Sequence, residues 1–287
     1  MSMEFSIKAN AKINMGLNIL RKLPTGYHLL DMIMVPIDLS DKIEIQILDK
    51  CGNLTISTNR KEIPTDKNNI LYKIYEIFYS ESKLEKMEIL LHLDKVIPHE
   101  AGLGGGSSDG AAFLKVLNAY HKNYFSQTEL ERIALKIGAD IPFFIKNIPS
   151  RVQGIGEKLI PIENKLKEKI ILIKPNFGVS TKKAYESIEL KTKTMSANID
   201  EIIEGMKSGD TTKIENSIIN QLEKSLLSFE ENLVLFRKRL DNTGHKFFMS
   251  GSGSAYFAFA LPNIKEEHLE PLRAQLNDCE VFLCNFL

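Results

Sequence analysis

Apolar and polar residues alternate with a period of two across residues 12–18. Ile13, Met15, Leu17 and Ile19 fall on one side, and Lys12, Asn14, Gly16 and Asn18 on the other. That period predicts a strand with its apolar and polar residues on opposite sides. Residues 87–93 repeat it, apolar at Met87, Ile89, Leu91 and Leu93. Further strands are expected over 29–37 and 43–48, after a turn signal at Pro24-Thr25-Gly26. The period then changes. Ile70, Ile74, Ile77 and Phe78 share one face of a helix over 69–78. Ser126-Gln127-Thr128-Glu129 spells a capping box, followed by a stripe of Leu130, Ile133, Ala134 and Ile137. Gly138 is expected to close that helix as its C′ residue.

The second half is organised differently. A strand is expected over 169–173 and helices over 198–207, 211–227 and 229–241, the last closed by Gly244. Strands over 246–249 and 255–260 flank Ser250-Gly251-Ser252-Gly253-Ser254. A helix over 266–276 and a strand over 280–286 complete the pattern. The order β, helices, β, β, α, β is that of a ferredoxin-like split βαβ domain with a lengthened first crossover. The pattern is weakest over 149–156, which marks a boundary between an N-terminal domain, 1–153, and a C-terminal domain, 154–287. The fold class expected is α+β with two domains, a length of 287 residues being ample for both cores.

Composition narrows the function. Lys+Arg and Asp+Glu are both 37, a net charge of zero, where a nucleic-acid or anionic-membrane binder is expected to carry a basic surplus. No apolar run approaches the roughly 18 residues of a membrane span. Residues 1–8 alternate like a strand and lack the apolar block of a signal peptide. Three cysteines, Cys51, Cys279 and Cys284, suit a reducing cytosol, and Cys279 and Cys284 lack companion histidines for a zinc site. A cytoplasmic chain is expected.

Candidate chemistry concentrates in residues 98–112, where Gly102, Gly104, Gly105 and Gly106 precede Ser107, Ser108 and a helix running to about Tyr120, N-capped by one of those serines. Strand, glycine loop and helix N-terminus together make an anion site, because glycines allow close approach and the first N–H groups of a helix lack partners. A turn without chemical consequence is the alternative. A Walker A loop is excluded, since no lysine follows the glycines until Lys115. A dinucleotide fingerprint fails because Ser107 or Asp109 stands where its third glycine belongs. A protein-kinase loop fails there too, and neither Asp-Phe-Gly nor His-Arg-Asp occurs.

The spelling from Pro98 to Ala112, with one extra glycine, resembles the phosphate loop of the GHMP small-molecule kinases, the superfamily of galactokinase, homoserine kinase, mevalonate kinase and phosphomevalonate kinase. Ala11-Lys12-Ile13-Asn14, Gly26-Tyr27-His28, Gly138-Ala139-Asp140-Ile141-Pro142-Phe143, Gly154-Ile155-Gly156-Glu157, Gly178-Val179-Ser180-Thr181 and Ser250-Gly251-Ser252-Gly253 follow in order over nearly the whole chain. Within the superfamily they resemble the 4-diphosphocytidyl-2-C-methyl-D-erythritol kinases of non-mevalonate isoprenoid synthesis. His99 and Glu100 depart from the small apolar residues usual there, and Gly110 stands where alanine is common.

The resemblance implies ATP-dependent phosphorylation of the 2-hydroxyl of a cytidine diphosphate conjugate, with Mg²⁺ arriving on the ATP and no residue assigned as a metal ligand. It implies Lys12 and Asp140 as the catalytic pair. Asp140 read alone is equally a helix N-cap, and Lys12 one of a solvent-facing polar row. ATP would lie on Pro98, Gly102, Leu103, Gly104, Gly105, Gly106, Ser107 and Ser108. The acceptor would meet Asn14, Tyr27, His28, Tyr185, Gly251 and Gly253. Core packing is the alternative for Tyr185, and a plain hairpin turn for the two glycines. Another GHMP kinase, or a non-catalytic nucleotide-binding regulator, remains the alternative function. The partners expected are small molecules, with neither nucleic acid nor membrane among them.

Overall fold

The computed structural model describes residues 2–188 and 195–287. In chain order the elements are β1 (Ser2–Lys22), β2 (His28–Cys51), β3 (Leu54–Thr58), α1 (Ile70–Ser82), β4 (Met87–Asp94), α2 (Gly105–Tyr120), α3 (Gln127–Leu135), α4 (Ile141–Lys146), β5 (Ser150–Gly154) and β6 (Lys158–Pro161). Then come β7 (Lys169–Lys174), α5 (Thr181–Glu186), α6 (Ile199–Ser208), α7 (Thr211–Ser217), α8 (Gln221–Leu226), α9 (Glu231–Asp241), β8 (Phe248–Met249), β9 (Tyr256–Ala260), α10 (Glu270–Gln275) and β10 (Glu280–Cys284). The chain folds into two compact units that interleave along the sequence. One comprises residues up to Ala11, Leu39–Ile97 and Gly104–Asn147; the other Lys12–Asp38, Pro98–Leu103 and Ile148–Leu287.

In the first unit β3 runs parallel to β4, with α1 as the crossover between them, and β4 pairs antiparallel with the second half of β2. Ile43, Ile45 and Ile47 of β2 and Ile89, Leu91 and Leu93 of β4 are buried at every second position, as a sheet with one covered face requires. Helix α2 packs on α1 and α4, with Phe78 and Phe113 fully buried. Asn69 caps α1 by accepting from the Leu71 amide at 2.8 Å. The capping box forms as read: Glu129 N–H donates to Ser126 Oγ, and Ser126 N–H to Glu129 Oε2. Two local expectations are corrected. Gly138 does not enter the left-handed region; its amide simply bonds to Ala134 O at 3.2 Å, beyond a helix that ends at Leu135. Helix α2 starts earlier than expected, with Gly104 (φ +72°) as its N-cap, so Ser107 and Ser108 lie inside its first turn.

In the second unit β10, β7, β9 and β8 form an antiparallel sheet in that order. Numbered within the unit's C-terminal segment this is 4-1-3-2, the ferredoxin-like arrangement expected. Ile170, Leu172, Ile171 and Ile173 of the central strand are fully buried on both faces. Residues 150–154, expected as a break, form β5, which pairs with β2 from Leu30↔Gly154 to Met34↔Ser150 and with β6 on its other side. The helix expected over 211–227 is two helices, because the chain extends at Ile218 (ψ 124°) and Ile219 O takes the Leu17 amide at 2.9 Å. The helix expected over 266–276 opens as a 3₁₀ turn, Glu266–Leu269, before α10. The strands expected over 29–37 and 43–48 are one strand, β2.

Candidate functional site

In the first unit the sequence ends strand β4, crosses a short loop and begins α2 on glycine. The first helical bond is Ser108 N–H to Gly104 O at 2.9 Å. The amides of Gly105, Gly106 and Ser107 therefore precede any intrahelical acceptor, and with the helix dipole they favour an anion. Gly106 is exposed, and a Cβ built there would meet nothing within 4 Å. A Cβ on Gly105 would lie 3.0 Å from Ile97 Cγ2 and 3.2 Å from Lys95 Nζ. Lys95, 7 % exposed, holds two buried carboxylates: Asp41, and Asp109 at 2.8 Å. Asp41 Oδ1 also accepts from the amides of Val96 (2.6 Å) and Ile97 (2.8 Å). Burial pulls the Lys95 ammonium down, but the two carboxylates more than offset it and hold it up. Burial pushes Asp109 up to about 7, against the pull of Lys95. Asp140 sits at the N-cap position of α4 (φ −84°), yet its side chain makes no capping bond, unlike an ordinary cap aspartate. It is half-buried.

In the second unit Lys12 and Asn14 project from β1 toward one side, as their spacing requires. Both are buried. Lys12 Nζ donates to Asn14 Oδ1 and, at 2.7 Å, to Gly102 O. Pro98 is buried, and Leu103 O accepts the Lys12 amide at 3.0 Å. Ser250 Oγ donates to Gly102 O at 3.1 Å and accepts from the Asn14 amide at 3.2 Å. The β8–β9 turn thus lies directly on residues 100–102, and the amides of Ser254 and Ala255 bond to Glu100 O and Ala101 O. The glycines explain how backbone comes so close. A Cβ on Gly102 (φ +71°) would run into Ser250 O, and one on Gly251 (φ +54°) would come within 3.1 Å of Lys12 Nζ, Asn14 Oδ1 and Gly102 O. Gly253 serves the turn: its amide closes onto Ser250 O, and a Cβ there would meet Met249 Sδ at 2.7 Å.

An aromatic pair lies elsewhere in the same unit. His28, 7 % exposed, stacks on Tyr185 with ring centroids 5.4 Å apart and planes at 26°. Burial, and then the Lys22 charge, lowers the His28 pKa. The neutral ring offers one donor and one acceptor nitrogen. Tyr185, from the short helix α5, is half-buried rather than a core residue. Tyr27 is 57 % exposed, on the turn where Leu23 N–H bonds to Tyr27 O. The described residues contain no group of three or more His, Cys, Asp or Glu side chains that would hold a metal ion. No described helix is long and apolar enough to cross a membrane.

Residues 69–147 match the GHMP kinases N terminal domain. Over 98 % of its length the chain is 45 % identical to a 4-diphosphocytidyl-2-C-methyl-D-erythritol kinase from Fusobacterium nucleatum, covering 97 % of that protein. The chain belongs to the 4-diphosphocytidyl-2-C-methyl-D-erythritol kinase family. A relative of the same name from Clostridium acetobutylicum is 37 % identical over 91 % of the chain and 92 % of its own length. A crystal structure of 4-(cytidine 5'-diphospho)-2C-methyl-D-erythritol kinase superposes with a TM-score of 0.80 at 27 % identity, over 98 % of this chain and 99 % of that one. Homoserine kinase from Cytophaga hutchinsonii shares the fold, with a TM-score of 0.72 at 17 % identity. Membership of this kinase family makes the chain an ATP-dependent kinase of the GHMP fold.

Family motifs did not reveal two groups. Asn220, between α7 and α8, donates its Nδ2 to Met249 O (2.9 Å) and Gly251 O (2.8 Å), and so holds the β8–β9 turn in place. Its only signal in the sequence is an asparagine inside an apparently continuous helical pattern. The Lys95–Asp41–Asp109 cluster has no local signal, since its members are separated in the chain by 54 and 14 positions.

Proposed function

We propose that the chain transfers the γ-phosphoryl group of ATP to the 2-hydroxyl of 4-diphosphocytidyl-2-C-methyl-D-erythritol, giving the 2-phosphate and ADP. The observation that carries this is the near-full-length identity of 45 % to a kinase of that name. The phosphates of ATP lie against the free amides at the start of α2, where backbone donors and the helix dipole favour them. Magnesium would enter with the nucleotide as part of the substrate and would supply neutralisation of the phosphate charge there.

The acceptor hydroxyl is tertiary and stays protonated at neutral pH. Asp140, its carboxylate not spent on capping α4, takes or orients that proton. Lys12, already fixed by Asn14 Oδ1 and Gly102 O, offsets charge on the transferring group. In a loose transition state positioning counts for more than base strength, which suits a rigidly held lysine. Asn14 hydrogen-bonds the acceptor, and the Gly251 backbone forms the wall beside it. The His28–Tyr185 stack and Tyr27 take the cytosine: the rings by stacking, and the neutral His28 by reading the pyrimidine edge. Small-molecule substrates, no nucleic acid and a cytoplasmic setting complete the reading.

The test offers purified protein ATP with the cytidine conjugate, free methylerythritol, mevalonate or homoserine, and follows product by mass. Phosphorylation of the cytidine conjugate alone is expected. Equal turnover of mevalonate, homoserine or free methylerythritol would refute the cytidine reading and point to another GHMP activity.

A further inference from the structure

The buried Lys95–Asp41–Asp109 cluster lies under the end of α2 and has no part in the mechanism above. Two carboxylates share one ammonium, so the fully ionised cluster carries one excess negative charge. The partners show where a proton would reside. Asp41 accepts from two backbone amides through Oδ1 and pairs with Lys95 through Oδ2. Asp109 bonds to Lys95 through Oδ2 alone, and its Oδ1 is buried without a hydrogen-bond partner. Its pKa of about 7 agrees with that asymmetry.

Most of the other charges on the elements around α2 are engaged elsewhere, and Lys73 of α1 is exposed to solvent. Glu76 of α1 pairs with Lys86, Glu81 with Arg132 and Lys136, and Lys146 of α4 with Glu131. Lys115, on α2 itself, donates to Phe144 O. Asp140 heads α4 and makes no capping bond there. On α1, Ile70 and Ile74 face Gly110, the residue next to Asp109. Asp109 lies one helical turn after Gly105, and helical side chains lean toward the N-terminus. A phosphate at the free amides would stand roughly 8 Å from its carboxylate, given the rise of a helical turn plus a hydrogen bond.

We propose that Asp109 sets the affinity of the α2 end for polyphosphate: its charge opposes the phosphates, and nucleotide binding draws a proton from solvent onto the cluster. The proposal rests on the kinase reading, which places the phosphates there. A unit charge at that distance is expected to weaken binding about tenfold at an effective dielectric of about 30. Linkage then requires the bound nucleotide to raise the Asp109 pKa by about one unit, so that proton uptake peaks between the pKa values of the free and the bound state.

Calorimetric titration of the wild-type chain with MgADP, in two buffers of different ionisation enthalpy, measures the uptake directly. The same titration from pH 6 to 9 is run on Asp109→Asn, which subtracts the nucleotide's own titration. Wild-type affinity should fall about tenfold across that range relative to the variant, and the variant should bind about tenfold tighter at pH 9. The wild-type proton count stands as a test even where the variant folds poorly. Binding without net proton uptake, or with the same pH slope in both proteins, overturns the proposal and leaves the kinase reading intact. A wild-type chain that binds no MgADP overturns the kinase reading and the proposal with it.

Discussion

Replacing Asn220 with alanine tests how the β8–β9 turn is held. Asn220 is 5 % exposed and its side chain makes four hydrogen bonds. Its Nδ2 donates to Met249 O and Gly251 O, and its Oδ1 accepts from the amides of Leu222 (2.9 Å) and Glu223 (3.3 Å) at the start of α8. Losing the cap costs about 1 kcal/mol. Stranding two buried carbonyls costs about 1 kcal/mol each, more where water cannot reach them. The total is about 3 kcal/mol, which lowers the melting temperature by roughly 6–12 °C in a chain this long. Asn220→Asp separates the contributions. It keeps both acceptor bonds to α8 but turns a carboxylate oxygen toward the two carbonyls, so it should be at least as destabilising near pH 7 as alanine. Because Gly251 lies against Lys12 and Asn14, both variants should also raise KM for the acceptor more than KM for ATP. Thermal unfolding by circular dichroism and steady-state kinetics read the two effects. Loss of under 1 kcal/mol in Asn220→Ala, with Asn220→Asp like wild type, would show that capping is all this residue does.

Asp140→Asn and Lys12→Met should each lower kcat about a hundredfold or more while Asp140→Asn melts like wild type; near-normal turnover in a folded Asp140→Asn protein removes that residue from the chemistry. Gly110→Ala should stabilise the chain by up to about 1 kcal/mol, since helix propensity favours alanine and a Cβ would make ordinary contacts, at 3.4 Å to Ile74 and 3.6 Å to Ile70; chemical denaturation showing a loss would mean that α1 and α2 are packed too tightly to admit it. The lowered pKa of His28 keeps its ring neutral through neutral pH, so acceptor KM should be flat from about pH 7 upward and rise as acidification protonates the ring. The acid-side rise should vanish in His28→Gln; its persistence there would assign it to another group.

What the sequence disclosed, and what it hid, follows from the range of each interaction. The Ser126–Glu129 box, the strand period around Lys12 and Asn14, and the succession of the C-terminal strands and helices depend on neighbours or on the order of elements, and all were readable. The start of α2 was misplaced because serine is the better cap in isolation. Here a left-handed glycine takes the position instead, which shifts the free amides back onto Gly105, Gly106 and Ser107. The break between α7 and α8 was invisible for a related reason. Local propensity favours one continuous helix, but Ile219 O receives the amide of Leu17 and Asn220 is turned toward the 249–251 carbonyls, contacts made some 200 and some 30 residues away. Strand β5 was lost between Pro149 and two glycines, Gly154 and Gly156, whose turn signals outweigh five residues of weak alternation. Its partner on β2 supplies the missing order through backbone bonds, which carry no side-chain pattern. At the candidate site the division is the same. Family motifs pointed to Lys12, Gly102 and Gly251, but the reason Gly251 must be glycine lies in the approach of its backbone to Lys12 and Asn14, more than two hundred residues earlier. The charge cluster beneath α2 is the extreme case: Asp41, Lys95 and Asp109 share no local pattern, and only the fold brings them together and buries them.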